Sequence, residues 1–334
     1  MKFGSVPIEE AEGAIVAHSV RVDGLALRKG ETVTRDRLRT LAEAGVTDVI
    51  AARLEEGDVP EDEAARQLAK RLAGVSVSCA AAFTGRVNLF AETAGLVVID
   101  AAAIDRVNAI DEAITAATVP QHRAVAKGDM VATVKIIPFA TPRPMLEAAL
   151  AALGESAAVS VAPFHPLRIA VASTVLPSLK ASVVAKTVRV LEARLQLTGA
   201  RIIAHETTAH DIRSLAAALA RLSPGADALI VFGASAITDR RDVIPAAIEA
   251  FGGRIERFGM PVDPGNLLLL AERRGIPIIG APGCARSPKE NGFDWVLQRV
   301  LAGVPIRDAD IRAMGVGGLL MEIASRPQPR APDE

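Results

Sequence analysis

The chain has no tyrosine, a single tryptophan and only nine phenylalanines. Its interior must therefore be filled by alanine, valine, leucine and isoleucine. Half of the residues are apolar, enough to close a sizeable core without disulfides or metal staples. Cysteine is nearly absent as well. Cys79 and Cys284 lie far apart and form no CxxC or zinc spacing, which fits a reducing cytoplasm. No charge of one sign dominates. A formal net charge of −1 argues against a nucleic-acid protein, which is usually clearly basic. No apolar run approaches the ~18–20 residues of a membrane span, and Met1-Lys2-Phe3-Gly4-Ser5-Val6-Pro7 lacks the apolar centre of a signal peptide. The histidines at 18, 122, 165, 205 and 210 share no metal-ligand spacing and read as structural or exposed.

A length of 334 residues suggests two domains. Residues 1–160 read as a mixed α+β domain. A helix is expected over 6–20, led in by Val6-Pro7, with Glu9, Glu10 and Glu12 near its start. Thr34 is placed to cap a helix over Arg35 to Ala44 that stops at Gly45. A strand over Val46 to Ala51 and an amphipathic helix over about Glu61 to Ala73 follow. Strands are expected at Arg86 to Ala91, Gly95 to Ile99 and Met130 to Phe139, with a helix over Asn108 to Ala117. Prolines 138, 142, 144, 163 and 166 then punctuate the chain around an alanine-rich helix, Met145 to Leu153, and mark a domain boundary.

Beyond Pro166 strands alternate with helices of about 10–16 residues, the pattern of βαβ units in a largely parallel sheet. The expected architecture over 161–325 is a three-layer α/β/α domain. The tail 326–334, charged and proline-rich, reads as disordered.

The stretch Leu229 to Arg241 organises this half. A short apolar run stops at Gly233, the small residues Ala234, Ser235 and Ala236 follow, and a helix pattern begins near Val243. In open α/β sheets ligands sit past the carboxyl ends of strands, and helix starts attract phosphate oxygens. Asp239 and Asp242 are candidates to hold a divalent cation against such a phosphate.

The Gly233-Ala234-Ser235 turn followed by Asp239-Arg240-Arg241-Asp242-Val243-Ile244-Pro245 resembles the molybdopterin-binding domain shared by molybdopterin adenylyltransferases and molybdotransferases. Val262-Asp263-Pro264-Gly265 and Gly280-Ala281-Pro282-Gly283-Cys284-Ala285-Arg286-Ser287 are similar, in order and spacing, to the Lys-Pro-Gly and Gly-Leu-Pro-Gly-Asn-Pro segments of the molybdotransferases. The resemblance covers about 165–305, is fainter over 1–52 and hardly touches 75–140. The layout looks closest to a molybdopterin-binding protein that elsewhere precedes a molybdenum-cofactor nucleotidyltransferase. Departures are visible: the double glycine is Phe232-Gly233, the Thr-Gly pair is Ser235-Ala236, and the asparagine and proline are Cys284 and Ala285.

The resemblance implies a cytoplasmic protein of molybdenum cofactor biosynthesis, a homo-oligomer by analogy, whose ligand is molybdopterin or its nucleotide form. Asp242, Asp239 and Asp211 are the candidates for catalysis, and Asp239 and Asp242 for Mg²⁺. Ligand contacts fall to Ser173, Thr174, Gly233, Ala234, Ser235, Pro264, Gly265, Pro282, Gly283, Arg286 and Ser287. Each has a plainer alternative: Asp211 as an N-cap, the other aspartates as a solvated helix start, the glycines as ordinary turns, Arg286 as a surface residue. The sequence leaves several functions open. One is transfer at the molybdopterin phosphate or dithiolene; another is a non-catalytic carrier serving a separate nucleotidyltransferase. A third is a nicotinamide-nucleotide pyrophosphatase or amidohydrolase on a related fold. Cys284 has no identifiable base beside it in sequence.

Overall fold

The computed structural model describes residues 1–22 and 25–320. The expected disordered tail, 326–334, lies outside the described residues. The chain divides into two compact units, Met1–Ala162 and Pro163 onward.

The first unit begins with a strand, not the expected helix over 6–20. Lys2–Pro7 pairs antiparallel with Asp48–Arg53, and Ile15–Val16 adds to the other side of that strand. The glutamates that suggested a helix start form only the single 3-10 turn Ile8–Glu10. Gly13 at φ 79° then reverses the chain, a conformation that a helix interior does not contain. The helix Arg35–Glu43 follows Thr34 and stops before Gly45 at φ 78°, whose left-handed backbone ends it.

The second correction concerns 108–117. The helix is Ala101–Asn108, with the Asp100 carboxylate accepting the Ala103 N–H, and Ile114–Thr118 is a strand. Asn108 closes this step: its side chain donates to Ala116 O and accepts from Ala116 N at 2.9 and 2.8 Å. Helix Glu61–Leu72 and strands Arg86–Ala91, Gly95–Ile99 and Met130–Ile136 stand where their sequence pattern puts them.

The second unit is built on six strands in the order 201–209, 168–175, 228–232, 276–281, 269–273, 254–258. The first four run parallel, and the last two reverse direction in turn. Side chains alternate across the central strands and so make separate cores on the two faces. Ile169, Val171, Ile230, Phe232 and Ile279 pack with helices Ala181–Leu195 and Gly292–Leu301. Ala170, Ala172, Leu229, Val231 and Ile278 pack with helices Ile212–Leu222 and Val243–Ala250 on the opposite face. This is the expected three-layer α/β/α arrangement with a mostly parallel sheet. Among the described residues no helix is long and apolar enough to cross a membrane.

Candidate ligand-binding edge of the second unit

Strand register places the site. Ser173 pairs with Phe232, and Phe232 with Ala281, so adjacent parallel strands end in line. The loops that follow Val175, Phe232 and Ala281 consequently leave from one edge. Strand 254–258 has the same sense as 276–281 after two antiparallel steps, so its exit loop, holding Pro264 and Gly265, leaves from that edge too. The structure thus brings the segments around 174, 211, 233, 265 and 283 to the carboxyl edge of a single sheet, where open α/β sheets bind ligands.

The 233–242 loop is fixed from inside. A Cβ on Gly233 would lie 2.6 Å from Ile244 Cδ1 and 2.7 Å from Ser235 O, so only glycine fits. Ala234 N donates to Thr174 Oγ1 at 2.8 Å. The N–H groups of Ser235 and Ala236 have no hydrogen-bond partner among the described residues. Asp242 caps helix Val243–Ala250: Oδ1 accepts Val243 N at 2.8 Å and Oδ2 accepts Thr238 N at 3.1 Å. Asp239 Oδ1 accepts both Arg241 N and Arg241 Nε, at 2.8 and 2.9 Å, and the Arg241 guanidinium holds this carboxyl below its usual pKa. Asp239 is thus engaged by an exposed guanidinium and Asp242 by its capping bonds. Among the described residues no cluster of three or more His, Cys, Asp or Glu side chains gathers to hold a metal.

Asp211 is an N-cap, accepting Ser214 N at 2.9 Å, and the Ser214 side chain followed by this backbone bond lowers its pKa. Gly265 is explained by packing: at φ 146°, its Cβ would meet Gly292 Cα at 2.9 Å, and Gly292 N donates to Pro264 O at 2.8 Å. Gly283 is the opposite case. It is exposed, and a Cβ there would meet nothing within 4 Å, so no contact of the protein demands glycine. The space above it is free for a ligand.

Arg286 lies between the 233 and 283 loops. It donates to Gly233 O at 2.7 Å and Thr187 Oγ1 at 3.1 Å, and its guanidinium carbon stands 6.0 Å from the Phe232 ring centroid. Among the described residues no carboxylate comes within ion-pair distance, and burial lowers the guanidinium's pKa. A partly desolvated cation without a counter-charge carries an electrostatic cost that two neutral hydrogen bonds offset only in part. Ser287 Oγ, by contrast, accepts Lys289 N within its own loop, and Ser235 is exposed.

Residues that sequence reasoning missed hold this edge together. Arg194 reaches across the fold to Asp294 Oδ1 at 2.6 Å and to the carbonyls of Ala285 and Ser287 at 2.8 and 2.7 Å. Asn291 and Asp294 form a capping box that starts helix Gly292–Leu301. His205 Nε2 meets Ser173 Oγ at 3.0 Å, and His210 Nδ1 meets Thr174 Oγ1 at 2.8 Å. A cleft of about 330 Å³ in the first unit, lined in part by Ile99, Ile104, Asp105 and Thr118, contains none of the predicted site residues.

The edge of this sheet defines the class: an α/β domain whose strand-end loops meet at the carboxyl edge of a mostly parallel sheet. Comparison with known families gives the particular domain. Residues 169–303, most of the second unit, match the family described as "Probable molybdopterin binding domain". Residues 5–53 match a family described only as a domain of unknown function. No curated protein matches the chain. Among solved structures, the molybdopterin biosynthesis moea protein from Pyrococcus horikosii is 16% identical with a TM-score of 0.32, over 91% of this chain and 76% of its own. Molybdenum cofactor biosynthesis protein B is 13% identical with a TM-score of 0.32, over 42% of this chain and 96% of its own. The family assignment rests on residues 169–303 alone.

Proposed function

We propose that the second unit binds molybdopterin, free or in its nucleotide form, with the phosphate at the carboxyl edge of the sheet. Arg286 carries this reading: it is a half-buried guanidinium, without a carboxylate partner among the described residues, between two glycine-bearing loops. The unpaired N–H groups of Ser235 and Ala236 supply further phosphate donors, and the open face of Gly283 admits the pterin. These groups bind and orient. Charge on the phosphate is met by fixed donors, the electrostatic part of any transfer at that group.

A second reading, a carrier that hands molybdopterin to a separate nucleotidyltransferase, is favoured by the aspartates. Asp239 is engaged by Arg241, and Asp242 and Asp211 serve as helix caps. Equilibrium titration with molybdopterin tests the binding claim. Wild type binds, and Arg286→Met loosens the complex about tenfold to a hundredfold, the worth of a charge-assisted contact. A wild type that does not bind ends the proposal. Conversion of bound molybdopterin on addition of ATP or molybdate assigns a transferase; unchanged ligand assigns the carrier.

A further inference from the structure

Thr174 occupies the next-to-last register position of its strand, opposite Thr208, and its side chain is fully buried. A hydroxyl has one proton and two lone pairs, and a buried one must place its proton. One lone pair of Thr174 Oγ1 takes the Ala234 N–H at 2.8 Å. Among the described residues the other group at hydrogen-bond distance is His210 Nδ1, also at 2.8 Å. The hydroxyl proton therefore goes to Nδ1, and the imidazole carries its own proton on Nε2. That tautomer is assigned from the network. The histidine backbone is fixed as well, since His210 N donates to Val175 O at 3.2 Å.

We infer that His210 is a positioning residue for the Gly233 turn, acting through Thr174. Its Nδ1 lone pair holds the hydroxyl proton, which turns an oxygen lone pair toward Ala234 N. The turn is thereby pinned with the Ser235 and Ala236 N–H groups left open to an incoming phosphate. Sequence separations of 36 and 60 residues are closed by one oxygen atom. The importance of this relay for ligand rests on the phosphate site proposed above; the relay itself does not.

Three variants separate the possibilities. Asparagine presents an acceptor at the position of Nδ1, glutamine at the position of Nε2. His210→Ala and His210→Gln are expected to speed amide exchange at Ala234 and to weaken molybdopterin binding, each about fivefold, the loss of one neutral hydrogen bond. His210→Asn is expected to keep both within about twofold. ¹⁵N spectra of the unliganded protein are expected to show Nδ1 unprotonated. A protonated Nδ1, unchanged Ala234 exchange in His210→Ala, or rescue of binding by glutamine in place of asparagine overturns the inference. The ¹⁵N and exchange readings need no ligand. If they hold while wild type fails to bind molybdopterin, the functional proposal falls and the relay stands.

Discussion

Replacing Arg194 by methionine should unfasten the 283–294 segment while leaving the sheet intact. The Arg194 and Asp294 side chains are only 9% and 11% exposed, and their atoms approach to 2.6 Å. Removing the guanidinium strands the Asp294 charge with one strong donor, Asn291 N at 2.9 Å, and releases the carbonyls of Ala285 and Ser287. Breaking a buried ion pair from one side costs about 3–5 kcal/mol. Some solvent reaches this pair, so the lower end, about 3 kcal/mol, is expected. Discharging the partner as well, in Arg194→Met with Asp294→Asn, should recover about 1–2 kcal/mol of that loss. The single tryptophan makes the assay specific. Trp295 lies in helix Gly292–Leu301 and donates to Glu290 Oε1 at 3.0 Å, so its fluorescence in a urea series follows the second unit. A loss below about 1 kcal/mol for Arg194→Met, or a double variant less stable than the single one, refutes the reasoning.

The two loop glycines should behave oppositely. Gly233→Ala meets Ser235 O at 2.7 Å, a backbone atom that cannot step aside, and is expected to cost about 1–3 kcal/mol in the same urea assay. Gly283→Ala meets nothing within 4 Å, so stability should hold while molybdopterin binding weakens; an unchanged affinity would remove Gly283 from the site. At the far end of the sheet, hydrogen bonds from Arg168 hold the Asp227 carboxyl at about 2, below its ordinary 3.8. A depressed carboxylate pKa stabilises the fold above the unfolded value and loses that contribution as pH falls through the folded one. Asp227→Asn is therefore less stable than wild type at neutral pH, and the gap closes between about pH 4 and pH 2. A gap that persists below pH 2 contradicts the assignment.

Much of the second unit was legible because its signals are local. Ala228–Phe232 is an apolar run stopped by glycine, and Ile212–Leu222 carries its own cap, Asp211. The first unit misled where pairing is remote. Lys2–Pro7 becomes a strand only by meeting Asp48–Arg53, which no local period reveals. Asn108, the expected first residue of a helix, ends one helix instead and ties the following strand through its side-chain amide. The site divides along the same line. Hydroxyls and glycines at strand ends announce themselves. Arg194 and His210 do not, since Arg194 finds Asp294 across 100 positions and His210 finds Thr174 across 36.

The central claim is that loops from distant parts of the chain make one binding edge. Hydrogen exchange of the full chain, with and without saturating molybdopterin, tests it most directly. The account predicts slowed exchange of amides around 233–237 and 283–287 together, with residues 1–162 unchanged. Protection confined to the first unit, or reaching only one of the two loops, would contradict it.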